Sequence, residues 1–176
     1  MKSRFLPTLL LASLLHGCVG PRLISFPYDP GGRSLNSPYT ESNPKIAGRY
    51  IVFISDRRGS QDVYLYDTVT RYLLELPGLN AIDMVAESPA VSENGRFIVF
   101  TGNREGQSDI YFYDRDTRQL RNLTQTLKAD VRNPSISADG NIIAFQSSEA
   151  GQWDIVFLQP LWATLEPTEP PLIKLF

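Results

Sequence analysis

The sequence predicts an all-β fold, a partial β-propeller of about three four-stranded antiparallel blades, and three observations carry that expectation. Windows 48–67 (GRYIVFISDRRGSQDVYLYD), 95–114 (GRFIVFTGNREGQSDIYFYD) and 140–159 (GNIIAFQSSEAGQWDIVFLQ) align without a gap, and the first two share 11 of 20 positions. The copies recur with a period near 45. Phe53, Phe100 and Phe145 stand 47 and 45 residues apart, as do Asp62, Asp109 and Asp154, whereas Pro44, Pro89 and Pro134 are 45 and 45 apart. Finally, Ile51-Val52-Phe53-Ile54 and Phe97-Ile98-Val99-Phe100 are continuous apolar runs, the pattern of strands covered on both faces, as stacked blades are.

Residues 1–17 read as an export signal rather than part of the fold. Lys2 and Arg4 precede an apolar run of 11 residues, Phe5 to Leu15, which is too short to span a membrane. Leu15-His16-Gly17-Cys18 follows and resembles the lipobox of bacterial lipoproteins, with His16 an unusual residue in its place. Cys18 is therefore the expected lipidation site. It is also the only cysteine of the 176 residues, so no intramolecular disulfide can form. Residues 18–42 hold Pro21, Pro27, Pro30 and Pro38 with Gly20, Gly31 and Gly32, the composition of an irregular tether, in which Arg22 to Phe26 (RLISF) is strand-like.

The blades occupy 43–176, divided at about 43–87, 88–132 and 133–176. In the second, Ser88 to Ser92 is a short first strand and Glu93-Asn94-Gly95 a turn whose Gly tolerates positive φ. Arg96 to Thr101 is a second strand rich in β-branched and aromatic residues, Asp109 to Asp114 a third, and Arg118 to Thr124 a fourth. The third copy repeats the opening with Asn133 to Ser137 and the turn Ala138-Asp139-Gly140. Leu172 to Phe176 (LIKLF) would supply its fourth strand.

Composition narrows the function. Charged residues make up 20% and hydrophobic ones 42%, as in a folded domain. Removal of 1–17 leaves 15 Lys and Arg against 19 Asp and Glu, an acidic balance that offers nucleic acid no attraction. The only histidine, His16, falls in the signal, so the mature chain has none for Ser-His-Asp or Cys-His catalysis or for zinc. Asp62, Asp109 and Asp154 each follow a glycine by three residues: Gly59, Gly106 and Gly151. One equivalent acid per blade is spread around a ring rather than converging on one ion. Each set is therefore expected to be structural, the Asp accepting backbone N–H bonds ahead of the third strand. Arg57-Arg58 and Arg104-Glu105 are expected to be mostly solvated loop residues, and Tyr64, Tyr66, Tyr111, Tyr113 and Trp153 to pack between blades. Trp162, in an irregular tail, is a candidate contact residue if exposed. No catalytic residue, metal ligand or cofactor site is assigned.

The pattern S-P-x-x-S-x-(D/N)-G-x-x-I-x-F, then G-x-x-D-I-Y, then x-x-L-T, resembles the blade repeat of the TolB family. Ser88, Pro89, Ser92, Asn94, Gly95, Ile98, Phe100, Gly106, Asp109, Ile110, Tyr111, Leu123 and Thr124 carry it best. The family pairs an α/β domain with a six-bladed propeller, and no part of this sequence corresponds to that domain. Taken with the signal, Cys18 and the missing histidine, the resemblance gives as the leading expectation a non-catalytic, lipid-anchored envelope protein facing the periplasm. Its expected partner is a protein or a cell-wall component, such as a peptidoglycan-associated lipoprotein or a Tol-complex member. Two copies would complete a six-bladed ring, or the flanking segments would cap the open arc. The competing readings are a carbohydrate-active propeller enzyme using Asp and Glu, a relative of propellers that gate peptidases, and a remnant of a larger propeller protein.

Overall fold

The computed structural model describes residues 23–24 and 29–160. The signal, Cys18, most of the strand-like 22–26 stretch, Trp162 and the 172–176 stretch lie outside them. Every regular element among the described residues is a strand, and three antiparallel sheets follow one another along the chain. Blade 1 contains β1 (Glu41–Ala47), β2 (Tyr50–Ser55), β3 (Asp62–Asp67) and β4 (Tyr72–Leu74). Blade 2 contains β5 (Val85–Val91), β6 (Phe97–Arg104), β7 (Gln107–Asp114) and β8 (Gln119–Asn122), and blade 3 β9 (Val131–Ile136), β10 (Ile143–Ser147) and β11 (Asp154–Leu158). Neighbours in sequence are neighbours in each sheet, as short hairpin connections require. The partial propeller expected from the repeats is what the chain forms.

The continuous apolar strands are buried on both sides. Blade 1 turns Val52, Ile54, Val63 and Leu65 toward blade 2, where they meet Ile98, Phe100, Tyr111 and Tyr113 in one core. The other face of blade 2, Phe97, Val99, Ile110 and Phe112, packs on Val131, Ile143 and Phe145 of blade 3. Tyr111 and Tyr113 thus pack between blades as expected, whereas Tyr64 and Tyr66 are buried on the outer face of blade 1, against Leu35 rather than a neighbouring blade. Burying each such large side chain contributes roughly 1.5–3 kcal/mol, which makes the middle blade the most stable part of the arc.

A second contact fixes how consecutive blades meet. The turn glycine of one blade sits on the ring that opens the second strand of the blade before it. A Cβ on Gly95 (φ +70°) would lie 2.6 Å from the Tyr50 ring, and one on Gly140 (φ +81°) 2.2 Å from Phe97. Only a residue without a side chain lets the turn close on the ring, and the positive φ adds to the requirement. Leu35, Leu79 and Leu123, 44 and 44 residues apart, make a further repeat, each packing at a blade face. Gly95→Ala is expected to cost about 2 kcal/mol. Gly59→Ala, at φ +87° but facing open space, should cost less. Urea unfolding of the two variants measures the difference, and equal losses would remove the ring contact as the cause.

Candidate functional site

The first strands form the inner ends of the blades: β1 contacts β5, and β5 contacts β9. Each carries the same irregularity. Asn43, Ser88 and Asn133 have φ of 51°, 48° and 52°, each immediately precedes a proline, and each strand's pairing slips there. These are β-bulges, positions where a proline's missing N–H does no harm to the ladder. The 45-residue proline spacing is thus a spacing of bulges. The Ser88 hydroxyl donates to Asn133 Oδ1 at 3.0 Å, tying adjacent bulges together. Asn43, Lys45, Glu87, Arg132, Asn133 and Ser135 are exposed along these strands, a mixed polar row on a rigid support.

The predicted turn glycines take the left-handed conformation, and the aspartates have other bond partners than expected. Gly59, Gly106 and Gly151 adopt φ of 87°, 84° and 83° in the hairpins between second and third strands. Glu105-Gly106, both at positive φ, is the two-residue loop between Arg104 and Gln107. The bonds that Asp62, Asp109 and Asp154 accept come from side chains, not backbone N–H groups. Asp62 accepts from Ser60 Oγ (2.9 Å) and Asp154 from Gln152 Nε2 (3.2 Å). Asp109 accepts from Thr124 Oγ1 (2.8 Å) and Asn122 Nδ2 (2.9 Å), while Thr124 Oγ1 accepts the Ile110 N–H (3.0 Å). The L-T ending of the repeat therefore latches the outer strand to the third. In blade 1, Asn80 does the same for Val63, accepting its N–H and donating to its carbonyl, both at 3.0 Å. Among the described residues no three His, Cys, Asp or Glu side chains cluster as a metal site.

Arg57 overturns the expectation of a solvated rim. Its side chain is only 5% exposed and pairs with Glu41 at 2.7 Å. It also donates to the carbonyls of Gly32, Ser34 and Leu35 at 3.0, 3.0 and 3.2 Å, and lies over the rings of Phe53 and Tyr64. One guanidinium thus fastens the segment before β1 onto the outer face of blade 1, where Leu35 packs with Phe53, Tyr64 and Tyr66. Arg58 is exposed as expected, and Arg104 is half-exposed, paired with Asp83 at 3.2 Å. A cleft of about 750 Å³ between this segment and blade 1 is lined by Arg33, Tyr39, Arg58, Tyr64 and Tyr72 among others.

Blade 3 ends differently. Trp153, expected in a core, is 43% exposed with Arg132 over its ring, on a face that no further blade covers among the described residues. Ile155 and Phe157 stand on the same face, 71% and 73% exposed.

Charge follows burial and partners. Burial pushes the Asp62 carboxyl up, against smaller opposing effects of Ser60 and Arg58. At Asp114 burial also pushes up, but bonds from Arg96 and the Asp116 N–H and the Arg96 charge together hold the carboxyl below the usual range. Asp67, paired with Arg49, follows the same pattern with the N–H groups of Val69 and Thr70.

The fold is that of a TolB-like β-propeller, in partial form. Among solved structures, TolB from Acinetobacter baumannii is similar over 71% of this chain and 31% of its own, at 23% identity and a TM-score of 0.57. A TolB protein from Agrobacterium tumefaciens matches over 63% and 39%, at 23% identity and a TM-score of 0.50. A Mycobacterium tuberculosis puromycin-hydrolyzing peptidase matches over 71% and 20%, at 14% identity and a TM-score of 0.52. The chain spans less than two fifths of each. No family model matches it, and no curated protein matches its sequence.

Two predictions follow from the charged groups. Arg57→Met should cost about 3 kcal/mol, because it strands Glu41 and three carbonyls, and Arg57→Lys should restore only part of the loss in denaturant titrations. The depressed carboxyls of Asp67 and Asp114 contribute stability that is full well above pH ~4 and is lost as pH falls through their folded values. Arg96→Met should remove about 1 kcal/mol at pH 7 and little once pH has fallen through the lowered folded value of Asp114, since the pair is partly exposed. A loss equal at both pH values would rule out the ion pair as its source.

Proposed function

We propose that this chain is a non-catalytic cell-envelope protein, exported, lipid-anchored at Cys18 and facing the periplasm, which binds a protein or cell-wall partner through its blades. The observation that carries the reading is the inner edge. Equivalent bulges support an exposed polar row, Asn43, Glu87, Arg132 and Asn133, on a scaffold too rigid to lose much entropy on binding. Similarity to TolB in fold makes a peptidoglycan-associated lipoprotein the first partner to test, and peptidoglycan itself the second. A second copy is a further partner to test, as a route to a six-bladed ring. The face that a head-to-tail ring would use on blade 1 is already occupied by the segment carrying Leu35.

Purified peptidoglycan-associated lipoprotein and isolated sacculi serve as probes in titration and pelleting assays. Binding to either that weakens about tenfold in Glu87→Lys or Arg132→Glu supports the inner edge as the site. Unchanged binding moves the site elsewhere. Release of reducing sugar from sacculi would favour the acid-based enzyme instead. Metabolic labelling with palmitate that disappears in Cys18→Ser tests the anchor independently.

A further inference from the structure

The seam between blades 1 and 2 holds two cations that the fold does not use. A pocket of about 440 Å³ there is lined by Arg49, Tyr50, Asp67, Glu75, Arg115 and Arg118 among others. Its walls are tied in place. The Tyr113 hydroxyl donates to the carbonyl of Pro77, which also borders the pocket, at 2.8 Å. Asp67 is taken up by Arg49 and by the N–H groups of Val69 and Thr70. Arg115 lies over the Tyr50 ring, 5.7 Å from its centroid, and its Nη1 is buried without a hydrogen-bond partner among the described residues. Arg118, exposed on a turn at φ 58°, pairs with no carboxylate among them.

The repeat accounts for one of these cations and not the other. Arg118 has a counterpart in Arg71, 47 residues earlier, which is also at positive φ. Arg115 stands where the other copies have Thr68 and Pro160. The turn itself needs no arginine. The Arg115 N–H donates to the Arg96 carbonyl at 3.0 Å, and the Thr68 N–H makes the same bond to Arg49 at 2.9 Å. A buried guanidinium N–H without an acceptor costs stability, and a ligand oxygen is what satisfies it. Once Arg49 and Asp67 cancel, Glu75 is the one carboxylate of the lining set against Arg115 and Arg118, so the pocket is positive.

We propose that this pocket binds a small phosphate group, as the free ion or as a monoester. Arg115 presents the N–H donors of its planar fork, steadied on the Tyr50 ring, and Arg118 supplies the second positive charge. Two guanidinium groups match a phosphate dianion better than a singly charged carboxylate, and the pocket leaves room for a small substituent on the ester oxygen. None of the exposed polar residues of the inner edge lines it, so the site is separate from the proposed partner surface. Because its walls come from both blades, an occupied pocket also braces the seam.

The inference does not depend on the inner-edge reading and is tested without a protein partner. Isothermal titration of the full detergent-solubilised chain, in phosphate-free buffer at fixed chloride, reads binding of inorganic phosphate, glycerol 3-phosphate and acetate. The expected result is saturable phosphate binding that weakens at least about tenfold in Arg115→Met and in Arg118→Met. Glu75→Gln should bind more tightly, and Lys128→Met, an exposed cation outside the pocket, should bind as the parent does. Arg115→Lys, which keeps the charge and loses the fork, should recover only part of the affinity. Tighter binding of glycerol 3-phosphate supports the site with an ester, such as a lipid headgroup, as its source, and tighter binding of inorganic phosphate supports it with the free ion. Acetate bound as tightly as phosphate overturns the assignment. So does an absence of saturable phosphate binding, or an affinity unchanged in Arg115→Met. Should Arg115→Met fail to fold, Arg115→Lys and Arg118→Met carry the same test.

Discussion

A blade is a thin sheet with two apolar faces, and the need to bury both organises everything else in this molecule. Blade 2 meets the need completely: Ile98, Phe100, Tyr111 and Tyr113 go to one neighbour, and Val99, Ile110 and Phe112 to the other. The end blades cannot meet it with blades of their own. On blade 1 the outer face therefore becomes the place where irregular chain, rather than repeat, does the structural work, while among the described residues the outer face of blade 3 is exposed.

The device on blade 1 is electrostatic as much as hydrophobic. Leu35 supplies apolar cover, but Arg57 supplies direction, reading three consecutive-region carbonyls and Glu41 with one planar fork. A guanidinium buried at 5% exposure is tolerable because its donors meet oxygens on one side and aromatic faces on the other. The inner edge works by a separate principle. Bulges before Pro44, Pro89 and Pro134 interrupt the ladders, and a Ser88–Asn133 hydrogen bond ties two of them together beside the exposed polar side chains. Stability and presentation of a surface are thus assigned to different ends of the same sheets.

The position-specific losses expected of the repeat follow from this division. The third copy carries Asn141 and Gln159 where the others carry Arg49 with Asp67 and Arg96 with Asp114, so blade 3 lacks the ion pair that closes the other two hairpins. It also places Ile155 and Phe157 in solvent among the described residues. The same copy is the least enclosed among the described residues. A residue freed from packing against a neighbour is freed from the constraint that keeps the repeat uniform.

The sequence by itself determined the blades. Period, turn glycines and unbroken apolar strands specify a local unit that repeats, and the unit's hydrogen bonds and faces follow from short-range chemistry. It also placed Tyr111 and Tyr113 between blades, because their neighbours in the strand fix which face they join. Only the tertiary structure decided the fates of Arg57, Trp153 and the recurring aspartates. Arg57 and Arg58 are adjacent and chemically alike, yet one is buried and the other exposed, because a segment more than twenty residues earlier folds over the first. Trp153 belongs to the same repeat as buried residues but faces the end of the arc. Burial there depends on what lies across the face, and periodicity within one chain cannot say where a stack of blades stops.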